Sequence, residues 1–211
     1  ERNRKALLHL IDRAACPYAD LGSRYAAANC GPLFDDLEIN RGWVRNAAGT
    51  DTATSGRWAV GNPQPTSSGG AKQLGRTVSG IRALVTGAAA GSSAGANDVD
   101  GGTTTIRSRV IRLPEDPAAF GNLTFSWVFA HTADSSVKDA LRVLVEAEDG
   151  SQTVVFEVLG RPVNVNGSWR TASIPLAAWA GQPVRLVMAA TDGGKGNLVE
   201  AAVDDIRIRR P

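Results

Sequence analysis

The sequence predicts an all-β chain: a jelly-roll-like antiparallel β-sandwich with a short N-terminal helical segment. Three observations carry this reading. The second half alternates apolar and polar residues with period two, as strands with one buried face do. Glycine is abundant, 23 of 211 residues, without the repeat of a fibrous protein, which suits many short strands joined by tight turns. Beyond about residue 31 no long amphipathic stretch appears, so there is no βαβ rhythm and most nucleotide and dinucleotide enzymes are excluded.

Residues 1–15, "ERNRKALLHLIDRAA", read as a helix with Leu7, Leu8 and Ile11 on one stripe, stopped by Pro17. "LFDDLEINRGWVRN" reads as a strand carrying Asp35, Asp36 and Glu38, and "RWAVGNP" as a second. Residues 62–75 are rich in Pro, Ser and Gly and read as a long loop. "GIRALVTG" is a short apolar strand, residues 87–103 are again loop, and "TTTIRSRVIRLP" alternates.

"LTFSWVFAH" puts Phe125, Trp127 and Phe129 on one face, and "ALRVLVEAE" does the same with Leu141, Val143 and Val145. Asp149–Gly150 then marks a hairpin into "TVVFEVLG", with Val154, Phe156 and Val158 in phase. "WRTASIPL" and "PVRLVMAAT" follow, the latter aligning Val184, Leu186 and Met188. In the last segment Val199, Ala201 and Val203 occupy odd positions while Ile206 and Ile208 occupy even ones. A continuous strand cannot bury both sets, so a bulge is expected at Asp204–Asp205. About nine strands result, with residues 1–31 as a connector or the tail of a preceding domain and residues 32–211 as the sandwich.

Composition narrows the function classes. Charged residues are 21% and hydrophobic ones 43%, a globular balance. The net charge of +2 and the lack of a dense basic run speak against nucleic acid, and no apolar run reaches membrane-spanning length. The chain starts without methionine or an apolar signal segment and is expected to be a fragment or processed form. Cys16 and Cys30 would close a short loop worth about 3 kcal/mol if oxidised, which points to a secreted protein; two free thiols are the alternative.

Three acidic groups raise the question of metal: Asp35, Asp36 and Glu38; Asn97, Asp98 and Asp100; Glu200, Asp204 and Asp205. Carboxylates and backbone carbonyls are what calcium takes, and one cation joining three distant segments would explain aspartates interrupting an apolar run. Solvated turn-forming acids are the alternative. The "NDVDGG" loop is not an EF-hand, because Thr103 and Arg109 stand where that loop needs Gly and Glu. Other chemistries fit less well. "GSSAG" matches a nucleophile elbow at Ser93, but "ANDVDGG" after it cannot form the helix the elbow needs. His9 and His131 are the two histidines and stand far apart, with no HExxH. A carboxylate pair for glycoside hydrolysis is available in number only. Of five tryptophans, Trp127 and Trp169 fall in core phase. Trp43, Trp58 and Trp179 are candidate ligand contacts that could stack on a sugar, with core packing as the alternative. Asn122 and Asn166 open glycosylation sequons.

"GWVRNAAGTDTATSGRWAVGNPQPT", "KQLGRTVSGIRALVTG" and above all "NDVDGGTT", with "LFDDLE…GW" at the start and "AAVDDIRI" at the end, resemble the non-catalytic calcium-binding jelly-roll module found C-terminal to secreted bacterial peptidases, notably zinc carboxypeptidases of the M14 type. That group is similar to carbohydrate-binding modules and MAM-like adhesive sandwiches. The resemblance, from about Leu33 to Arg210, implies structural calcium held by Glu38, Asp205, Asp98 and Asp100, with Thr103 nearby and Asp36 as a further ligand. It implies an upstream catalytic domain as partner, an extracellular location, no catalysis by this fragment, and a polysaccharide or cell-surface ligand. A surface protein-interaction or adhesion domain, or a free-standing extracellular hydrolase, is the alternative function.

Overall fold

Strand β12 (Val199–Ile208) is the strand around which the first sheet is built. The computed structural model describes residues 31–194 and 197–210. The helix expected over 1–15 and the Cys16–Cys30 pairing lie outside them. The described sandwich contains no cysteine and no disulfide, so the disulfide is withdrawn as a feature of this fold.

Two six-stranded sheets face each other. The first runs β10 (Arg170–Ile174), β7 (Leu123–His131), β12, β4 (Ala83–Thr86), β3 (Trp58–Gly61), with β1 (Leu33–Asp35) also on β12. The second runs β2 (Val44–Arg45), β5 (Gly102–Arg107), β11 (Pro183–Asp192), β8 (Ala140–Glu146), β9 (Gln152–Leu159), with β6 (Ile111–Arg112) on β11. All pairings are antiparallel, and strands distant in sequence lie side by side, as in a jelly roll.

The expected inner faces meet. Phe125, Trp127 and Phe129 of β7 are buried against Leu141, Val143 and Val145 of β8 and Val184, Leu186 and Met188 of β11. Phe156 ties the sheets with edge contacts to Phe125 at 5.2 Å and Trp127 at 5.3 Å. The bulge in β12 stands where the phase slip placed it. Pairing with β7 shifts between Asp204 and Arg207, Asp205 takes φ of 54°, and Val199, Ala201, Val203, Ile206 and Ile208 all reach the core. Twelve strands are present among the described residues, against about nine expected, because the "LFDDLEINRGWVRN" segment breaks at Leu37 (φ 60°) into β1 and β2 and the "TTTIRSRVIRLP" segment into β5 and β6. Val154 departs from its expected face. A second bulge leaves Val155 unpaired between Leu144↔Val154 and Val143↔Phe156, which turns Val154 outward.

The outer face of the first sheet is not wet. Residues 62–80 form a strap across it, over a small apolar cluster of Val85, Val128, Ala130 and Ala202 joined by Leu74 and Trp169. Trp169, expected in the main core, packs here instead and donates its Nε1–H to the Arg76 carbonyl. Lys72 fixes the strap. Its fully buried side chain gives Nζ hydrogen bonds to Asn164 Oδ1 (2.7 Å), the Val165 carbonyl (3.1 Å) and Asn166 Oδ1 (3.1 Å). Three acceptors saturate the ammonium, while burial lowers its affinity for the proton. Lys72→Met is expected to lower unfolding free energy by about 1–3 kcal/mol, since it leaves amide and carbonyl oxygens without donors; urea denaturation measures it.

Candidate functional site

The outer face of the second sheet is open, and its residues are small where the strands cross its middle. Three cross-strand rows build it: Arg107–Val187–Leu144, Thr105–Ala189–Arg142, and Thr103–Thr191–Ala140. Small threonine and alanine side chains between longer neighbours leave a groove of about 260 Å³. One rim is the turn after β2, with Ala47, Ala48 and Thr50. Asp51 holds that turn down, accepting the Thr105 backbone N–H (2.8 Å) and Oγ1–H (2.6 Å), and Asn46 Oδ1 accepts the Asp51 N–H at 3.0 Å.

The other rim is charged and balanced. Arg107 Nη1 donates to Glu146 Oε1 at 3.0 Å, and Gln152 Nε2 to Glu146 Oε2 at 2.9 Å. Arg142 Nε donates to Glu157 Oε2 at 2.6 Å. Both arginine side chains are 32% exposed, so each keeps donors toward solvent while a glutamate cancels its charge. Thr103 and Thr191 share a hydroxyl–hydroxyl bond at 2.9 Å on the floor. The arrangement presents alternating donors and acceptors and no aromatic platform.

Of the three candidate ligand contacts, Trp43, Trp58 and Trp179, the first two lie inside the sandwich. Trp43 and Trp58 are buried; Trp43 Nε1–H is taken by Asp35 Oδ2 (2.9 Å) and Trp58 Nε1–H by the Thr104 carbonyl (3.1 Å). Trp179 is half-buried in a 3-10 turn against the core. The groove residues Arg107, Arg142, Glu146, Thr105 and Thr191 were missed. Their signal was the outward phase of β5, β8 and β11, polar or small except at Leu144 and Val187, but only the topology shows that these strands adjoin.

The proposed calcium ligands stand in two places. Glu38 Oε1 accepts the backbone N–H groups of Ile81 and Arg82, both at 2.9 Å, and Asp205 Oδ1 accepts Ser79 Oγ–H at 2.8 Å and Arg207 Nη2–H at 3.2 Å, so both border the 78–82 turn. Asp35 and Asp36 share Arg41, whose Nη1 lies 3.1 and 2.6 Å away. Asp98 is elsewhere: its Oδ2 accepts the Val199 N–H at 3.1 Å, six residues along β12 from Asp205, a separation of about 20 Å. One ion cannot reach Glu38, Asp98 and Asp205 together. Thr103 belongs to the groove floor and faces Thr191. Among the described residues no three His, Cys, Asp or Glu side chains form a metal-holding group. Ser93 is exposed, and His131 is buried beside Phe129 with Nδ1 3.0 Å from the Thr132 carbonyl, so the elbow motif gains no base.

Three buried acids on or near β12 have their proton affinity raised, Glu200 and Asp204 above neutral pH and Asp98 to near it. Burial, then the charge of Asp98, raises Glu200 to about 9; burial and the adjacent Asp205 raise Asp204 to about 8; burial and Asp100 raise Asp98 to about 7. Geometry agrees at Glu200. Thr66 Oγ1 lies 3.3 Å from Oε1, and Thr86 Oγ1 lies 3.3 Å from Oε2 and 3.1 Å from the Ala201 carbonyl. Thr86 has one hydroxyl proton for two acceptors, and a proton on Oε2 supplies the second bond.

No family model matches the chain, and no curated protein matches it. Among solved structures it is similar to the K2 cleaved adhesin domain of Lys-gingipain, at 13% identity over 85% of this chain and 98% of that one, with a TM-score of 0.42. It is also similar to the CBM22-1 xylan-binding domain from Paenibacillus barcinonensis Xyn10C (12%, 87% and 95%, 0.41). A third is the family 11 carbohydrate-binding module from Clostridium thermocellum (11%, 83% and 92%, 0.39). Likeness at this level assigns neither a family nor a ligand.

A carboxyl whose proton affinity is raised on folding contributes stability that is complete below its unfolded value and lost as pH rises toward its folded one. For Glu200 that window runs from about 4.5 to about 9. Glu200→Gln keeps both threonine contacts without the charge. It is expected to raise Tm at pH 8.5 by about 5 °C or more and to change it little at pH 4.5, read by calorimetry across pH.

Proposed function

We propose that this domain is a non-catalytic binding module whose groove takes a neutral, hydroxyl-rich chain, a glycan, laid across β5, β11 and β8. The observation that carries the reading is the charge-balanced rim above a small-residue floor. Arg107 with Glu146 and Arg142 with Glu157 offer fixed donors and acceptors side by side with no net charge. Sugar hydroxyls both donate and accept, so they match such a surface, whereas an anionic ligand would meet two carboxylates and a purely apolar one would strand the polar rim. Without stacking rings, affinity would rest on hydrogen bonds made against water and would be modest, in the range where repetition along a polymer matters.

In this reading the module accompanies a secreted hydrolase, with a catalytic domain upstream, of the zinc carboxypeptidase type suggested by the sequence motifs, and works outside the cell. It keeps the enzyme near polymeric or cell-surface material.

Titration calorimetry against soluble neutral oligosaccharides, with uronate-bearing ones beside them, tests the ligand class. Neutral chains are expected to bind with Kd between about 10 μM and 1 mM. Ala189→Phe, which fills the floor, is expected to abolish binding, and Arg142→Ala to weaken it about tenfold, both with the melting temperature within a few degrees of the parent. Binding that survives Ala189→Phe, or that appears only with acidic chains, would place the ligand elsewhere or change its class.

A further inference from the structure

We propose that Lys72 and Asn164 become joined by an amide bond, a covalent tie between the strap and the segment 164–166. Lys72 Nζ attacks Asn164 Cγ, the bond from Cγ to Nδ2 breaks, and Nδ2 leaves as ammonia with the proton that Nζ sheds. An amine and a carboxamide give a substituted amide and ammonia, so the step balances without an oxidant or a further reactant. It goes beyond the binding role and does not depend on the groove.

The first ground is a buried charge without a counter-charge. Lys72 is 0% exposed, and the three groups that hold its Nζ are neutral oxygens, two side-chain amides and one backbone carbonyl. No acidic side chain among the described residues offsets the charge. Lysines this deeply buried are ordinarily paired. An amide at Nζ is neutral, so the bond removes the uncompensated charge. Burial already favours the free amine, which is the form that attacks.

The second ground is geometry. Asn164 Oδ1 stands 2.7 Å from Nζ, closer than Asn166 Oδ1 at 3.1 Å. With an amide C=O of about 1.23 Å, Asn164 Cγ lies no more than about 4 Å from Nζ, near the roughly 3–3.5 Å of a reacting pair. The Asn164 amide is held in place, because Nδ2 donates to the Gly69 carbonyl at 2.9 Å and to Asn166 Oδ1 at 3.1 Å. Asn166 Oδ1 thus accepts from the attacking and the departing nitrogen, each at 3.1 Å, and lies where the proton must pass between them. The strap comes this close because it carries no side chain here: a Cβ on Gly70 (φ 126°) would overlap the Asn166 amide. Asn164 is exposed, which gives ammonia a way out.

The test is the intact mass of the full chain, followed by a peptide map. The parent is expected to be lighter than its sequence mass by one ammonia, and its digest to hold a branched peptide joining Lys72 to Asn164. On a denaturing gel the parent, closed into a loop between these residues, is expected to run ahead of the open variants. Lys72→Gln and Asn164→Ser each keep a hydrogen-bonding group and are expected at full sequence mass. The parent's branched peptide decides the matter even where a variant does not fold. A parent at full sequence mass after prolonged incubation of the folded chain overturns the bond. So does an ammonia loss that survives Lys72→Gln, which marks a cyclic imide at Asn166–Gly167 instead. A branch at Asn166 overturns the assignment to Asn164.

Discussion

The structure depends on a conflict within β12. Ten residues must present five apolar side chains inward, while three carboxyls, Glu200, Asp204 and Asp205, sit on the same strand. A flat strand would bury Ile206 and Ile208 or Val199, Ala201 and Val203, not both. The bulge at Asp204–Asp205 reconciles them by inserting half a pleat. Ahead of the bulge the ordinary phase sends the first two acids to the outer face, where Glu200 meets the hydroxyls of Thr66 and Thr86 and Asp204 meets the N–H groups of Val78 and Ser79. The strap from 62 to 80 is therefore more than a connection. It supplies donors to acids that the strand's own phase forces out of the core, and it shields the apolar strip of Val85, Val128 and Ala202. With one outer face closed in this way, the other is left for the groove.

Much of the fold was legible in the sequence because burial on one face writes itself as alternation. The limits of β7 and the inward residues of β8 and β11 followed from period two alone, and the bulge in β12 from its failure. Where strands are short the signal thins. β1, β2 and β6 have three, two and two residues, too few for a period to show, and the left-handed turn at Leu37 carries no glycine to announce it. The β9 bulge was invisible because both Val154 and Val155 are apolar, so nothing in the residue types says which one turns out.

The site was less legible, for a different reason. Acids were read as metal ligands from their spacing along the chain, but spacing does not say which ends of a strand they flank. Asp98 and Asp205 both lie on β12's course, at its two ends. Arg41 was not considered as the partner of Asp35 and Asp36, although it stands only five residues beyond Asp36. Tryptophans were weighed as sugar platforms because they are large, yet Trp43 and Trp58 are anchored inside by their indole N–H groups. The groove that takes their place is made of the least conspicuous residues in the chain, threonines and alanines whose meaning appears only when β5, β11 and β8 are laid side by side.

Lys72 reaches across some ninety residues of sequence to the segment 164–166. Such a tie can close only after β7 has brought that segment alongside, since Val165 pairs with His131 at its end. The covering of the first sheet is thus built from contacts far apart in sequence, whose loops carry a large closure cost. Until it closes, three acids and an apolar strip are open to water, and a protease meeting the newborn chain would find the strap before it finds the sandwich.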